Sequence, residues 1–248
     1  MNSAVLMSLC AGAILCSLTM GGAGGPQDTA NRVPEIWTFD RLDRIGGHRT
    51  TVLGDPRSVE TPFGKVVEFD GIDDALFVDV HPLAGAQTFT WEAIFRPDGG
   101  NREQRWFHLQ ETGSENRMLF EIRVVGNRWF LDSFNFSTTG TATLMNKTSL
   151  HPLGAWYHVA AVYDGKVFSN YVDGVRQGAA EVQLSPQQPG RSSIGVRINL
   201  VDYFKGAIHS ARFTRRALAP AEFLKVPAVA VRADVTTLPK FSSQQPLR

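Results

Sequence analysis

Glu121, Arg123, Phe130 and Asp132 flank the dipeptide Gly126-Asn127, which separates two strand-like runs at 118–125 and 128–134. Such a dipeptide supplies the positive φ that a tight hairpin needs. A two-residue turn pairs Val125 with Arg128, and the ladder that follows sets Glu121 directly opposite Asp132, with Arg123 on the diagonal. Phe120, Ile122, Val124, Trp129, Leu131 and Ser133 then share one face, which reads as core. Leu119, Glu121, Arg123, Phe130, Asp132 and Phe134 share the other, which is half polar and is expected to meet water or ligand. Opposed carboxylates destabilise a ladder unless something compensates. One reading makes Arg123 that compensation, as a surface ion pair. A second makes Glu121, Arg123 and Asp132 sugar contacts with Phe130 as a stacking platform, and a third makes the carboxylates catalytic.

Other reactive side chains give weaker patterns. Asp70, Asp73 and Asp74 lack the length and the closing Glu of a helix-loop-helix calcium site. They read first as turn formers whose carboxylates bond nearby backbone N–H groups, with one weak calcium as the alternative. A two-residue turn at Asp164-Gly165 would place His158 opposite Tyr171, in a structural hydrogen bond. The remaining histidines have no metal-ligand spacing. Arg212, Arg215 and Arg216 read as a solvated basic face, with an anionic-glycan contact as the sharper idea. Serine-hydrolase elbows, phosphate loops and dinucleotide fingerprints are absent from the sequence.

The chain has 248 residues, with 25 Lys+Arg against 24 Asp+Glu. That balance leaves no electrostatic footprint for nucleic acid or for an anionic membrane surface. Hydrophobic residues make up 43%, enough for a core, and 23 Gly with 13 Pro argue against helical repeats. Residues 4–20 form an apolar run followed by Gly21, Gly22, Ala23, Gly24 and Gly25, which reads as a secretory leader cleaved near Ala23. Both cysteines, Cys10 and Cys16, lie in it, so the mature chain is expected to have no disulfide and no cysteine-ligated metal. The expected organisation is a leader at 1–24, a linker at 25–33, one domain at 34–225 and a tail at 226–248. The expected location is secreted or periplasmic, with no membrane contact after cleavage.

Between those limits, short β runs alternate with turn signals at 35–39, 66–69, 76–80, 89–95, 105–109, 118–125, 128–134, 156–163, 167–172, 192–198 and 207–213. In Phe89-Thr90-Trp91-Glu92-Ala93-Ile94-Phe95 the alternation gives a one-sided strand, with Phe89, Trp91, Ala93 and Phe95 facing the core. The stretch 218–224 is the best helix candidate, with Pro220 tolerable in a first turn.

Four segments in order resemble the laminin-G-like jelly-roll domains of the concanavalin A-like lectin/glucanase superfamily. They are Trp37-Thr38-Phe39-Asp40; the run Gly64-Lys-Val-Val-Glu-Phe-Asp-Gly-Ile-Asp-Asp-Ala-Leu-Phe-Val78, similar to the family's Gly-x-Ala-x-x-Phe-Asp-Gly-x-Asp-Asp-x-x-x-Val; Trp156-Tyr-His-Val-Ala-Ala-Val-Tyr-Asp-Gly165 with Tyr171-Val-Asp-Gly174; and Phe204-Lys-Gly-Ala-Ile-His-Ser-Ala-Arg-Phe213 with Arg216-Ala-Leu-Ala-Pro-Ala-Glu222. The resemblance implies an all-β, two-sheet antiparallel jelly-roll sandwich with adjacent first and last strands and one short C-terminal helix. Related hydrolases carry Glu-x-Asp-x-Glu on one strand, so that acid and nucleophile flank a glycosidic bond. Glu92, Glu121 and Asp132 stand in no such run. Where many relatives have an acidic residue that helps hold a structural calcium, this chain has His209, so no cofactor is expected. The expected function is a non-catalytic recognition module for polysaccharide or glycoprotein. A divergent hydrolase or lyase using Glu92, Glu121 or Asp132 is the alternative, and an adhesion or assembly protein the second.

Overall fold

A computed structural model describes residues 33–228. The expected leader lies outside the described residues, as do most of the linker and most of the tail. The strands run in chain order as β1 (Glu35–Thr38), β2 (Arg44–Ile45), β3 (His48–Leu53), β4 (Arg57–Thr61), β5 (Gly64–Asp70), β6 (Ala75–Val78), β7 (Phe89–Pro97), β8 (Glu103–Glu111) and β9 (Arg117–Val125). They continue as β10 (Arg128–Ser137), β11 (Gly140–Met145), β12 (His151–Pro152), β13 (Tyr157–Tyr163), β14 (Val167–Val172), β15 (Val175–Glu181), β16 (Gly190–Ile194) and β17 (Lys205–Thr214). Two antiparallel sheets result. Sheet I has the order β15-β14-β13-β7-β17-β5-β4, with β1 also on β17; sheet II has the order β11-β10-β9-β8-β16-β6-β3-β2, with β12 on β10. The first and last strands are neighbours, Glu35 opposite Phe213.

The core lies between the sheets and is filled by the inward positions of a period-two pattern. Phe95 of β7 stacks on Trp106 of β8 at 4.4 Å and 3°, and Trp106 stacks in turn on Phe120 of β9 at 5.4 Å and 8°. Trp37, Trp91, Trp106 and Trp129 are fully buried. Aromatic pairs of this kind add about 0.5–1.5 kcal/mol each beyond the area they bury.

Three expectations need correction. β7 is not one-sided, because Thr90, Glu92 and Ile94 on its outer face are also buried. The chain after β17 folds back over them: Thr90 Oγ1 donates to the Arg216 carbonyl at 2.8 Å and accepts from the Leu218 N–H at 2.8 Å. That covering segment closes into a single 3-10 turn, Pro220–Glu222, instead of the expected short helix. Finally, the turn at Asp164-Gly165 is two residues longer than a two-residue hairpin. Tyr163 pairs with Phe168, so Tyr171 falls opposite Ala160 and not opposite His158. The extra length is held by the Asp164 carboxylate, which accepts from the N–H groups of Lys166 at 2.8 Å and Val167 at 2.7 Å.

Candidate functional site

The β9–β10 hairpin has the register its turn dictates. Gly126 takes a φ of 60°, Val125 pairs with Arg128, and Glu121 stands opposite Asp132. Because alternate residues share a face, the outer surface of sheet II carries cross-strand rows. One row runs Met145, Asp132, Glu121, Arg105 across β11, β10, β9 and β8; the next runs Thr143, Phe134, Leu119, His108. These rows floor a hollow of about 240 Å³, lined also by Arg117, Arg123 and Arg197.

Arg197 arrives from the loop between β16 and β17, which is pinned at several points. Gly195 donates its N–H to the Trp106 carbonyl at 2.8 Å, and Phe204 donates to the Gly195 carbonyl at 2.8 Å. Arg105 donates its backbone N–H to the Asp202 carbonyl at 2.9 Å, while its guanidinium pairs with the Asp202 carboxylate. Gly195 has a φ of 87°, and a Cβ there would stand 2.5 Å from the Phe69 ring, so only glycine makes the bend that starts this loop.

The electrostatics divide the hollow into floor and wall. Arg123 Nη2 bridges the two facing carboxylates, 2.9 Å from Glu121 Oε2 and 2.7 Å from Asp132 Oδ2. Arg105 Nε holds the other Glu121 oxygen at 3.1 Å. Glu103 on the rim serves both arginines, 3.3 Å from Arg123 and 3.7 Å from Arg105. Arg117 pairs with the exposed Glu115 at 3.1 Å and lies over the rings of Phe134 and Phe136 at 5.0 and 5.4 Å. Burial, and then the charge of Glu121, push the Asp132 carboxyl up to about 7 against the pull of Arg123 and Arg105. Below about pH 7 the carboxyl pair therefore holds a proton, and Asp132 can donate to Glu121. His108 is pushed down to about 3, chiefly by burial and then by the charges of Arg197, Arg117 and Arg191, so its imidazole is neutral.

Three of the residues expected at the site, Glu121, Arg123 and Asp132, are brought together as the register requires. Glu121 and Asp132 are buried, 5% and 1% exposed, and lie beneath the guanidiniums. Phe130 is 4% exposed and does not line the hollow, so it offers no free ring for stacking. Between Met145, opposite Asp132, and His151, opposite Trp129, the chain passes the Phe130 position. Phe134 is the ring that reaches the hollow. Arg105, Arg117 and Arg197 were not found from the sequence. For Arg117 the signal was available, since it directly precedes the 118–125 run; Arg105 comes to face Glu121 only through a bulge, and Arg197 gives none.

The remaining candidates have structural partners. Glu92 is fully buried, bonded by Arg212 Nε at 2.6 Å, His158 Nε2 at 3.0 Å and the Leu224 N–H at 2.8 Å. His158 is thus in a structural bond, with Glu92 as the side-chain partner in place of Tyr171. Arg215 donates to the Ala84 carbonyl at 2.7 Å and Arg216 to Glu222 at 2.8 Å, so the basic cluster clamps the C-terminal segment. Asp70, Asp73 and Asp74 offer oxygens within 4.8 Å of one another. Asp74 already accepts from the N–H groups of Asp55 at 2.7 Å and Asp70 at 2.9 Å, and Asp70 accepts from Ile72 at 2.8 Å. His209 bonds Ser210 Oγ at 3.0 Å and lies 5.1 Å from the Phe63 ring. Carboxylates engaged with backbone, and an imidazole in place of an acid, do not fit a calcium of the relatives' kind.

The family model described as the Concanavalin A-like lectin/glucanases superfamily matches residues 70–223. No curated protein matches the chain in sequence. Among solved structures, domain 4 of AbnA, a GH43 extracellular arabinanase from Geobacillus stearothermophilus, in complex with arabinotriose, is similar with a TM-score of 0.57 at 17% identity, over 76% of this chain and 94% of that one. The binding domain of Paraclostridial Mosquitocidal Protein 1 gives 0.56 at 11% identity, over 82% of this chain and 52% of that one. The botulinum neurotoxin serotype D binding domain gives 0.56 at 10%, over 77% and 49%. This chain spans about half the length of those two toxin domains, and at such identities the likeness is one of fold.

Proposed function

We propose, from the premise that this chain belongs to the Concanavalin A-like lectin/glucanases superfamily, that it is a non-catalytic recognition module holding a carbohydrate on the outer face of sheet II. The observation that carries this reading is the hollow across β8 to β11, where guanidiniums stand beside Leu119, Phe134 and Met145. A sugar presents hydroxyl oxygens that accept from guanidinium N–H groups and C–H faces that pack on apolar side chains. On a similar fold, the Geobacillus domain is seen with arabinotriose. With the expected leader at 1–24, the partner is a polysaccharide or glycoprotein outside the cytoplasm.

The absence of catalysis is part of the proposal, and two features support it. Glycoside hydrolysis needs two carboxyls flanking a bond, about 5 Å or more apart. Glu121 and Asp132 are buried and both bond the same Arg123 nitrogen, so neither lies open to a glycosidic bond. Glu92 is sealed beneath the C-terminal segment.

The purified protein should be retained on at least one immobilised polysaccharide from a panel, release no soluble sugar, and behave alike in calcium and in chelator. Sugar release abolished by Glu121→Gln would make the protein an enzyme, and chelator-sensitive retention would restore calcium to the Asp70 cluster. Failure to bind every polymer would transfer the partner to a protein surface.

A further inference from the structure

Arg197 is the point at which the hollow is incomplete. Its guanidinium has no hydrogen-bond or ion-pair partner among the described residues. Arg49, Arg57, Arg102, Arg128, Arg176 and Arg191 are also unpaired but exposed, whereas Arg197 is half-buried. A guanidinium stays charged at any physiological pH, so partial burial without an anion costs free energy that a solvated arginine does not meet. The neighbouring charges of Arg117 and Arg105 oppose it further and outweigh the attraction of Glu121 and Glu115.

The other three arginines of the wall have carboxylates of their own. Glu121, Asp132 and Glu103 serve Arg123; Glu121, Glu103 and Asp202 serve Arg105; and Glu115 serves Arg117. The wall as a whole is balanced by these carboxylates, so what is unmatched is local: the one guanidinium of Arg197. A second unmet donor lies on the same face of sheet II, buried outside the lining of the hollow. His108 Nδ1 accepts from the Ile198 N–H at 3.1 Å, so the neutral ring carries its proton on Nε2, which is buried without an acceptor.

The loop holds Arg197 in place instead of leaving it to find a partner. Leu200 and Asp202 both take a φ of 62°, unfavourable for non-glycine residues, and Leu200 donates its N–H to the Arg197 carbonyl at 2.8 Å. Leu200 and Val201 are exposed at 49% and 40% on the same loop. A strained, pinned loop that presents one unpaired guanidinium to the hollow is a preorganised anion seat.

We propose that the hollow recognises an acidic saccharide, a chain bearing carboxylate or sulfate groups, with Arg197 and Arg117 seating the anionic group and the exposed Met145, with Phe134, beside the adjoining ring. This rests on the carbohydrate reading above and narrows it to a ligand class. A carboxylate or sulfate matches the planar donor fork of arginine and brings the paired anion that Arg197 lacks.

The test is affinity electrophoresis of the full protein through gels containing polygalacturonate, chondroitin sulfate, neutral arabinan or neutral xylan. Retardation is expected with at least one acidic polymer, and the polygalacturonate and chondroitin sulfate arms separate carboxylate from sulfate. Added salt should weaken retention, since part of the attraction is between exposed charges. Arg197→Gln should weaken it by about tenfold or more, with Arg197→Lys between Gln and wild type. Arg57→Gln, on β4 of the other sheet, should change nothing. Arg197 has no partner to strand and its unpaired charge costs the fold free energy, so its replacement is expected to leave the thermal unfolding midpoint unchanged or to raise it. Binding to neutral polymers alone, or unchanged affinity in Arg197→Gln, would overturn the acidic-ligand inference and leave the carbohydrate reading standing. Binding to none of the polymers would remove both.

Discussion

Replacing Glu92 with alanine is expected to lower the free energy of unfolding by about 3–5 kcal/mol, the cost of leaving one member of a buried ionic cluster without its partner. Glu92 lies near the middle of β7, flanked by β13 and β17, and its side chain is 0% exposed. Burial pushes its carboxyl up, but hydrogen bonds from His158 and Arg212 outweigh that and hold it below the usual carboxylate range. The substitution strands the mostly buried Arg212 guanidinium and the Leu224 N–H together. Since the Leu224 bond fastens the segment that covers β7, loss of Glu92 should also loosen residues 216–224 and expose Thr90. Glu92→Gln keeps the shape and an acceptor and should lose less, about 1–2 kcal/mol. The sign with pH follows from the lowered carboxyl. Its contribution is fully present above the ordinary carboxylate pKa and fades as pH falls through the folded-state value, so the gap between wild type and Glu92→Gln should narrow on acidification. Urea titrations of the three proteins at neutral and acid pH check all of this. A loss below about 1 kcal/mol in Glu92→Ala would mean that the cluster is a weak clamp.

How much of this was legible in the sequence depended on whether local chemistry fixed a register. Gly126-Asn127 admits one short hairpin, and from it the facing of Glu121 and Asp132 and the diagonal Arg123 follow by alternation alone. Asp164-Gly165 looked equally decisive but is part of a longer turn. The Asp164 carboxylate bonds two successive N–H groups and thereby lengthens the loop, a use of the side chain that the dipeptide does not reveal. His158 then lost its expected partner and took Glu92, distant in sequence and adjacent only once β13 lies on β7. The 218–224 segment read as a helix because its composition allows one. Its backbone instead follows the surface of sheet I, with Leu218 and Phe223 buried. On sheet II, a bulge between Arg105 and Phe107 determines that Arg105 faces Glu121, and no period-two reading anticipates a bulge. Arg197 was beyond reach altogether, since it meets the hollow from a loop whose path is set by Gly195 and by bonds to β8. Local pattern thus gave the floor of the candidate site, and tertiary contact gave its wall.

Asp132→Asn is expected to stabilise the protein above neutral pH, which makes it the sharper test of the site's electrostatics. Two carboxylates directly opposite each other on neighbouring strands repel, and burial removes the water that would screen them. The outcome is an Asp132 carboxyl raised to about 7, from burial first and Glu121 second. A carboxyl whose folded pKa lies above its unfolded value stabilises the fold most when protonated. That contribution is complete below the unfolded pKa of about 4, shrinks as pH rises, and is gone above the folded-state value. Asparagine reproduces the protonated form: its oxygen can accept from Arg123 and its amide can donate to Glu121. Wild type and variant should therefore be nearly equal in stability near pH 4 and diverge as pH rises toward 7. Above that, the variant should lead by about 2–4 kcal/mol, the free energy of a shift of this size. Every other titrating group is common to both proteins and largely cancels in the difference. Denaturant midpoints measured across that range decide the matter. A constant difference, or a wild type more stable at alkaline pH, would mean that Asp132 is ionised in the fold and paid in full by Arg123. Binding should respond separately: Asp132 lies beneath the guanidiniums, so removing its charge leaves the Arg197 seat intact and should not weaken an acidic ligand. A stability gain without loss of retention would assign the two carboxyls to the floor and the arginines to the ligand.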